Sequence, residues 1–515
     1  MNRRTHARIS SAHALLARGD FEAVIDVLKP IVAGANGCRE AHLEALALSA
    51  AACNRLSWYH EEVELRRARL ALIRESGTAE ARERALLAGA LTALGDFAAA
   101  QETIAPVTPL WGCQEWAEAL RVKALIVMRR DRDYDGAGEL VHEAAALLAH
   151  SAGAFDRGRL RVLEGIILRL RTRVEDARIA LLDGQRILAD LIDQHPPALQ
   201  EYAKAEFFLG DVHSMRGDIQ GALDRYENAR KMLGKRASAH FVKRYFLRLG
   251  QVNYALGDYA RARSQYLHPE LLAAVEKIGS LEGYFWCYLG AAASSLAARA
   301  IDQAVQSLAE AEKCVNPHPP PFIAGYIRLA HGDLALARNR LQEADAAYRE
   351  AQGLFRGIGA SGHLQGISDC LACRGEVEIR RGNTNGLLAV LKECAELATV
   401  SGHVDLQVKT LLLESAALAE GVEDKDQRFR DVLAHLDTIS SPVTMFKVVS
   451  NLYHYARKFA NYTLDVELEK RIQDLKNVLA SETYFTLYRE CVDRRYAARI
   501  MDILEGGDRP AAGNS

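Results

Sequence analysis

Proline and aromatic residues are scarce in this sequence, and long apolar runs are absent. Only 12 prolines occur among 515 residues, and aromatic residues make up 7%. Because proline breaks helices and aromatic residues favour strands, this scarcity favours a helical chain over a sheet. No uncharged apolar run approaches the ~18 residues that a membrane-spanning helix needs, so we expect no insertion into a membrane.

The sequence also lacks an excess of charge and a regular cysteine pattern. The formal net charge is -2, and the nine cysteines are irregularly spaced. The charge predicts no overall attraction to nucleic acid, so any such attraction has to be local. The odd number of cysteines and the absence of a signal-peptide core favour a reduced, cytoplasmic protein. Abundant alanine and arginine suggest a GC-rich bacterial source.

One phrase recurs along the chain: a helical stretch, then Gly-Asp-aromatic, then an alanine three residues after the Asp. Its clearest copies contain Asp20, Asp96, Asp133, Asp218 and Asp258. Looser copies lie at Arg173, Ala300, Arg340 and Asn383, and fainter ones near Ser57, Val422 and Asn461. Successive copies are 37 to 45 residues apart. A period sustained in this way indicates a helical repeat protein.

The phrase has a physical meaning as a turn between two helices. Glycine relieves backbone strain where a first helix ends, and Asp or Asn caps the start of a second helix. In the best units a glycine (Gly210, Gly332) precedes the turn and a tyrosine (Tyr226, Tyr348) follows it. A small residue on one helix and an aromatic residue on the next are what a tight antiparallel pair needs.

These residues resemble the tetratricopeptide repeat, whose consensus contains Leu-Gly, Gly-Asp-Tyr and a later Ala-aromatic-Ala. The units here are longer than the consensus period of about 34 residues. In this they are similar to the longer repeats of MalT-like and peptide-sensing bacterial regulators. The resemblance implies an all-α fold, a right-handed superhelical solenoid of ~11–12 antiparallel helix pairs. It covers roughly residues 10–480 and is strongest in 200–355.

Proline-rich breaks divide the chain into four predicted parts. His195-Pro196-Pro197 and residues 316–321 fit loops between repeats, since a helix stops before proline. We predict N-terminal repeats in 1–195, central repeats in 198–420, C-terminal repeats with a capping helix (484–504) in 421–505, and a disordered tail in 506–515.

The sequence contains no recognisable catalytic set, and we predict neither enzyme activity nor a cofactor. No phosphate-binding loop exists; Leu233-Gly234-Lys235-Arg236 lacks the first glycine and the hydroxyl residue. No helix-turn-helix is recognisable. Cys370 and Cys373 form a C-x-x-C, but zinc needs four ligands, so core packing is favoured over redox or metal roles.

A binding surface is predicted from the resemblance, which implies that the first helix of each pair lines a concave groove. Register then places ten residues on that groove: Lys204, Phe207, Asp211, Arg244, Gln251, Tyr254, Tyr326, Asp333, Asp369 and Glu376. This mixed polar and aromatic set suits an extended peptide or a partner's helix. The alternative is that these are ordinary solvated positions.

A local excess of basic residues lies between 230 and 248, where no acidic residue occurs. It comprises Arg230, Lys231, Lys235, Arg236, Lys243, Arg244 and Arg248. An acidic peptide or nucleic-acid phosphates could meet this basic patch, or it is simply a solvated helix face.

The sequence therefore predicts a scaffold or adaptor that binds a protein or peptide partner in its groove, within a bacterial regulatory or assembly complex. A ligand-sensing regulator and a nucleic-acid-binding protein are the alternatives. The partner's identity and the oligomeric state are open.

Overall fold

The computed structural model describes residues 3–487 apart from 35–37, 74–77, 150–152, 172, 194, 196, 217, 316, 359–361, 402–403, 420–424, 437–438, 440, 459–461, 480–482 and 485–486. Within this part all regular structure is helical. Helices α1–α10 occupy Arg3–Arg18, Phe21–Val32, Arg39–Leu56, Tyr59–Leu72, Thr78–Leu94, Phe97–Ile104, Cys113–Ile126, Tyr134–Leu148, Ala154–Leu170 and Val174–Ala189.

The chain continues with the same succession of helices. Helices α11–α22 occupy Pro197–Met215, Ile219–Leu233, Ala239–Ala255, Tyr259–Tyr266, Pro269–Ile278, Leu281–Ala297, Ile301–Lys313, Pro321–Ala337, Leu341–Arg356, Leu364–Arg381, Thr384–Ser401 and Val404–Ala419. Helices α23–α25 occupy Lys425–Ala434, Pro442–Lys458 and Tyr462–Asp474.

Most of these helices form consecutive pairs, and each pair packs on the next. Helix α9 packs on α10, α10 on α11 and α11 on α12, and the same pattern continues along the chain. The predicted all-helical solenoid is therefore confirmed. Among the described residues, no helix is both long and apolar enough to cross a membrane. The predicted capping helix lies almost wholly outside the described residues, as does the tail.

At its clear copies the repeated phrase forms the turn inside a helix pair, as predicted, whereas the faint copies at Val422 and Asn461 lie outside the described residues. The Asp96 carboxylate accepts a hydrogen bond from the Ala99 backbone N–H (3.1 Å), and Asp218 accepts one from Gly221 (2.9 Å). Gly95, which precedes Asp96, has a φ of 84°. Looser copies place Arg299 and Asn339 in the same left-handed conformation, with φ values of 60° and 58°. The turn is therefore kept even where its glycine is replaced.

Close packing of first and second helices depends on the predicted glycine and tyrosine pairs. A Cβ atom on Gly210 would lie 2.6 Å from Cε1 of Tyr226, and one on Gly332 would lie 2.4 Å from Cε1 of Tyr348. Both tyrosines are fully buried. Each ring thus fills the space that a side chain on the facing helix would need.

The unit that begins with α13 contains three helices instead of the expected two. Helix α14 ends after Tyr266, and an additional helix, α15, begins at Pro269. His268 caps α15, because its Nδ1 accepts a hydrogen bond from the Glu270 N–H (3.3 Å), and proline suits a first helical position. The period of the repeated phrase does not reveal this insertion.

Successive turns of the superhelix contact each other. The Arg236 guanidinium donates a hydrogen bond to the Arg18 carbonyl, 218 residues earlier (3.3 Å), and the Thr483 hydroxyl donates one to the Gly257 carbonyl, 226 residues earlier. The ring centroids of Tyr59 and His240 are 5.1 Å apart. The solenoid is therefore wound tightly enough for distant repeats to touch.

Candidate functional site

The inner side of the superhelix encloses a cavity of about 1590 Å³. We call it the central cavity; its wall includes Lys243, Arg248, Gln251, Trp286, Tyr326 and Asp333. These residues belong to α13, α16 and α18, the first helices of three consecutive units. First helices therefore contribute to the wall of the interior, and the cavity is large enough for a short peptide.

Three of the ten predicted groove residues line the central cavity: Gln251, Tyr326 and Asp333. The others lie elsewhere. Lys204 pairs with Glu201 (2.6 Å), Asp369 with Lys409 (3.9 Å) and Glu376 with Arg380 (2.8 Å). The Tyr254 ring packs on Tyr259, with centroids 5.3 Å apart, and Arg244 is described with the basic patch below.

Phe207 and Asp211 were predicted to lie on the groove, but both are buried. Phe207 is 2% exposed and packs on Tyr226, so it belongs to the core between helices. Asp211 is also buried; its carboxylate accepts hydrogen bonds from Arg248 and the Tyr226 hydroxyl, both at 2.8 Å. Burial alone would raise the pKa of Asp211, but Arg248 and Arg169 lower it. Both side chains therefore lie in the packing between helices and not on the surface of a groove.

The basic patch does not form one surface. Arg230 pairs with Glu270, Lys231 pairs with Glu227 (3.7 Å), and Arg236 donates to the Arg18 carbonyl. Lys243 and Arg248 instead line the central cavity. The Lys235 side chain lies outside the described part. The single patch that the sequence predicts is therefore divided between the cavity and other parts of the molecule.

Arg129, His240, Lys243 and Arg244 form a group that we call the cationic cluster. Burial, with help from Arg244, lowers the pKa of Lys243 to about 8, and burial with help from Arg129 lowers that of Arg244 to about 10. Burial next to these cations also lowers the pKa of His240 well below its usual value, which keeps the imidazole neutral. Within the described chain, no carboxylate forms an ion pair with Arg129, Lys243 or Arg244. Glu282 acts on Arg129 and Lys243, and Asp211 acts on Arg244, only from a longer distance.

The sequence did not single out Arg129 as part of this cluster. Helix α7 ends in a π-helical turn, Val127–Asp131, which carries Arg129. Such turns widen a helix locally and are frequent at functional sites. Arg129 and Arg132 lie in a run of three arginines between residues 129 and 132, and this run is the only signal the sequence offered.

An aromatic wall, formed by Trp286, Phe322 and Tyr326, lines another part of the central cavity. The three ring centroids lie 5.2 to 5.6 Å apart in pairs. The Arg132 guanidinium lies over the Phe322 ring, 4.5 Å from its centroid. Only Tyr326 was predicted to face the groove. Four of the five residues in 284–288 are aromatic, and this cluster could have indicated the aromatic wall from the sequence.

Asp333 is an acidic residue of the cavity wall whose carboxylate forms no ion pair with a described lysine or arginine. Its carboxylate accepts hydrogen bonds from the Tyr348 hydroxyl (2.8 Å) and the Cys373 thiol (3.7 Å). Burial raises its pKa from 3.8 to about 6, although the two hydrogen bonds act in the opposite direction. The carboxylate is therefore costly to ionise in this place.

We expect the stability of the protein to depend on the ionisation of Asp333. Because its pKa is higher in the folded chain, the folded state holds this proton more tightly, and stability falls as pH rises from about 4 to about 6. Asp333→Asn should therefore be more stable than the wild type by about 1–2 kcal/mol at pH 7. The difference should vanish near pH 4.

Urea-induced unfolding at several pH values measures this difference. Asp302→Asn, which changes an exposed carboxylate on α17, is the matched control and should follow the wild type at each pH. An Asp333→Asn curve parallel to the wild type over the whole pH range would contradict the expectation.

Cys370 and Cys373 are placed in the packing between helices. Cys370 is fully buried, and burial raises the pKa of both thiols, which disfavours the reactive thiolate. In the part of the chain that is described, no three His, Cys, Asp or Glu side chains are grouped to hold a metal ion.

No family model and no curated protein matches the chain. Among solved structures, a Rap protein complexed with competence and sporulation factor aligns with 71% of this chain and 99% of its own, with 12% identity and a TM-score of 0.52. Yeast Tom70 aligns with 96% of each chain, with 11% identity and a TM-score of 0.41. The NprR quorum sensor of B. thuringiensis covers 77% of this chain and 99% of its own, with 12% identity and a TM-score of 0.41.

Identities this low establish the fold alone, and the likeness to MalT-like regulators stays a prediction. The glycine and tyrosine pairs, the capped turns and the likeness to the Rap structure agree. This chain has a helical repeat fold of the tetratricopeptide type.

Proposed function

We propose that the chain is a non-catalytic scaffold that binds an extended, acidic peptide segment of a partner in its central cavity. One observation carries the proposal: a peptide-sized cavity has Lys243 of the cationic cluster in its wall, and no described carboxylate forms an ion pair with this buried lysine. A desolvated cation without a partner is costly, and an acidic ligand would remove that cost. A cytoplasmic, bacterial setting for this partner is part of the proposal.

The cavity wall suits a peptide better than a phosphate backbone. Arg248 is engaged by Asp211, and Arg132 lies 3.9 Å from Glu282, so much of the basic charge is already neutralised. Gln251 and the aromatic wall add a polar amide and apolar surface. Peptide recognition uses such mixtures, whereas single-stranded nucleic acid needs a continuous basic groove.

The test is selection of short random peptides, displayed with free N-termini, on the full-length protein. We expect the selected peptides to be rich in Asp and Glu, and we expect Lys243→Gln/Arg244→Gln to weaken their binding at least ~10-fold. Lys231→Gln/Arg261→Gln, which removes two exposed cations outside the cavity wall, is the matched control and should bind normally.

Other outcomes have distinct meanings. If no peptide is enriched while a single-stranded oligonucleotide binds with strong salt dependence, nucleic-acid recognition replaces the proposal. If peptides are enriched without acidic residues and bind the double variant normally, the role of the cationic cluster is wrong.

A ligand-sensing regulator is the second candidate, and the contacts between successive turns favour it. A ligand that changes the superhelical pitch would break or form the contacts of Arg236 with Arg18 and of Thr483 with Gly257. X-ray scattering of the protein with a selected peptide separates the two candidates. An unchanged shape supports the scaffold, and a changed shape supports the sensor.

A further inference from the structure

Asp211 and Asp333 occupy the same place in two different repeats. Each lies on a first helix, and each accepts a hydrogen bond of 2.8 Å from the hydroxyl of the tyrosine 15 residues later, Tyr226 or Tyr348. The two sites thus offer an internal comparison, in which the surrounding fold is the same and the neighbouring side chains differ.

The difference between the two sites is the missing cation at Asp333. Asp211 is paired with Arg248 of the next first helix (2.8 Å) and with Arg169 of the preceding one (3.3 Å). At Asp333 the next first helix instead provides the Cys373 thiol (3.7 Å), and no described lysine or arginine forms an ion pair with the carboxylate. The repeat that contains Asp333 therefore has a carboxylate at the equivalent position but lacks the arginines that pair with Asp211.

This unpaired carboxylate opens onto the central cavity, whereas Asp211 is 4% exposed and closed in by its arginines. Removing a carboxylate from water without a cation is unfavourable, and the raised pKa of Asp333 agrees with that cost. A cationic group that enters the cavity would take the place that Arg248 has at Asp211.

The aromatic wall lies at a defined distance from Asp333. Tyr326 precedes Asp333 by seven residues on α18, which puts both on one face of the helix, about 10 Å apart along its axis. An extended peptide advances about 3.3–3.6 Å per residue, so a peptide that runs along α18 would pass from the wall to the carboxylate in about three residues.

We infer that Asp333 binds a cationic group of the peptide held in the central cavity, and that an apolar residue about three positions away packs on the aromatic wall. The cationic group is a Lys or Arg side chain or the free N-terminal ammonium. The inference rests on the proposed function and adds to it a second, oppositely charged contact, distinct from that of the cationic cluster.

The first test repeats the peptide selection on Asp333→Asn beside the wild type. Wild-type protein should select peptides that have a basic group at a fixed spacing from an apolar residue. Asp333→Asn should lose this basic preference and keep the acidic one. Asp302→Asn, an exposed change on α17, is the control and should select the same peptides as the wild type.

The second test uses one synthetic peptide from the wild-type selection in three forms: unmodified, N-acetylated, and with norleucine in place of its Lys or Arg. One of the two modifications should weaken binding to the wild type ~10-fold and leave binding to Asp333→Asn unchanged. The sensitive modification identifies the source of the cation. Binding of the unmodified peptide should also release protons near pH 6 in the wild type alone.

The results separate failure of the inference from failure of the proposed function. Acidic peptides in which neither a basic side chain nor the N-terminus lies at a fixed spacing from an apolar residue would overturn the role of Asp333 and leave peptide binding intact. The same holds if such a fixed spacing persists in Asp333→Asn. A selection that enriches no peptide would remove both.

Discussion

Glu83→Gln is expected to lower the free energy of unfolding by about 3–5 kcal/mol. The Glu83 side chain on α5 is fully buried and joins two arginines of α4: Arg66 at 3.2 Å and Arg69. Arg66 also pairs with buried Glu62 at 2.7 Å. Glutamine keeps the shape but leaves two cations facing one carboxylate inside the protein. Breaking a buried pair costs far more than the pair contributes, because the remaining charge stays desolvated.

Glu80→Gln is the matched control for this change. Glu80 lies on the same helix and pairs with Arg84 (2.8 Å), but both side chains are partly exposed. Its loss should cost less than about 1 kcal/mol. Urea-induced unfolding gives both values, and hydrogen exchange of peptides from α4 and α5 shows whether the effect is local. Equal losses for the two variants would show that the buried network is not a stabilising unit.

Gly332→Ala is expected to destabilise the protein by about 1–3 kcal/mol, although alanine ordinarily favours a helix. A Cβ at this position lies 2.4 Å from Cε1 of Tyr348, so the ring has to move. Tyr348 is fully buried, and its hydroxyl donates to Asp333; the movement therefore disturbs both the core and the cavity wall. Raised hydrogen exchange in α18 and α19 should accompany the loss of stability.

Gly353→Ala should stabilise the protein, in contrast to Gly332→Ala. Gly353 lies on the exposed side of α19, and a Cβ there meets nothing within 4 Å. The substitution should raise stability by about 0.5–1 kcal/mol, since alanine restricts the unfolded chain. Thermal denaturation of the two variants compares the same chemical change with and without a clash. If both variants are stabilised, the contact between Gly332 and Tyr348 does not limit the packing of α18 on α19.

The turns and pairs of the fold could be predicted because their causes lie close together in the sequence. Asp218 caps the helix that begins one residue later, and Gly210 meets Tyr226 only 16 residues away. Helix α15 escaped prediction because the period of the phrase continues past it. Its signal was local too: His268 followed by Pro269 marks a new helix start.

The candidate site was predicted only in part, because a repeat's sequence does not contain the superhelical pitch. Register pointed to Gln251, Tyr326 and Asp333, which lie in the cavity wall, and their role in binding stays a prediction. It could not separate the core face from the cavity face, which is why Phe207 was misplaced. The grouping of Arg129 with Lys243 and Arg244 joins helices more than 100 residues apart, and no spacing within one unit indicates it.

The contacts between successive turns also limit how this chain can evolve. In an open solenoid, duplication of one unit only lengthens the protein, because each unit contacts its neighbours alone. Here a unit inserted between Arg18 and Arg236, or between Gly257 and Thr483, would shift one partner by a full repeat and separate it from the other. The stretch from Arg18 to Arg236 and the stretch from Gly257 to Thr483 together cover most of the described chain. Relatives that keep these contacts should therefore keep the number of repeats between the contacting residues and differ by substitutions within them.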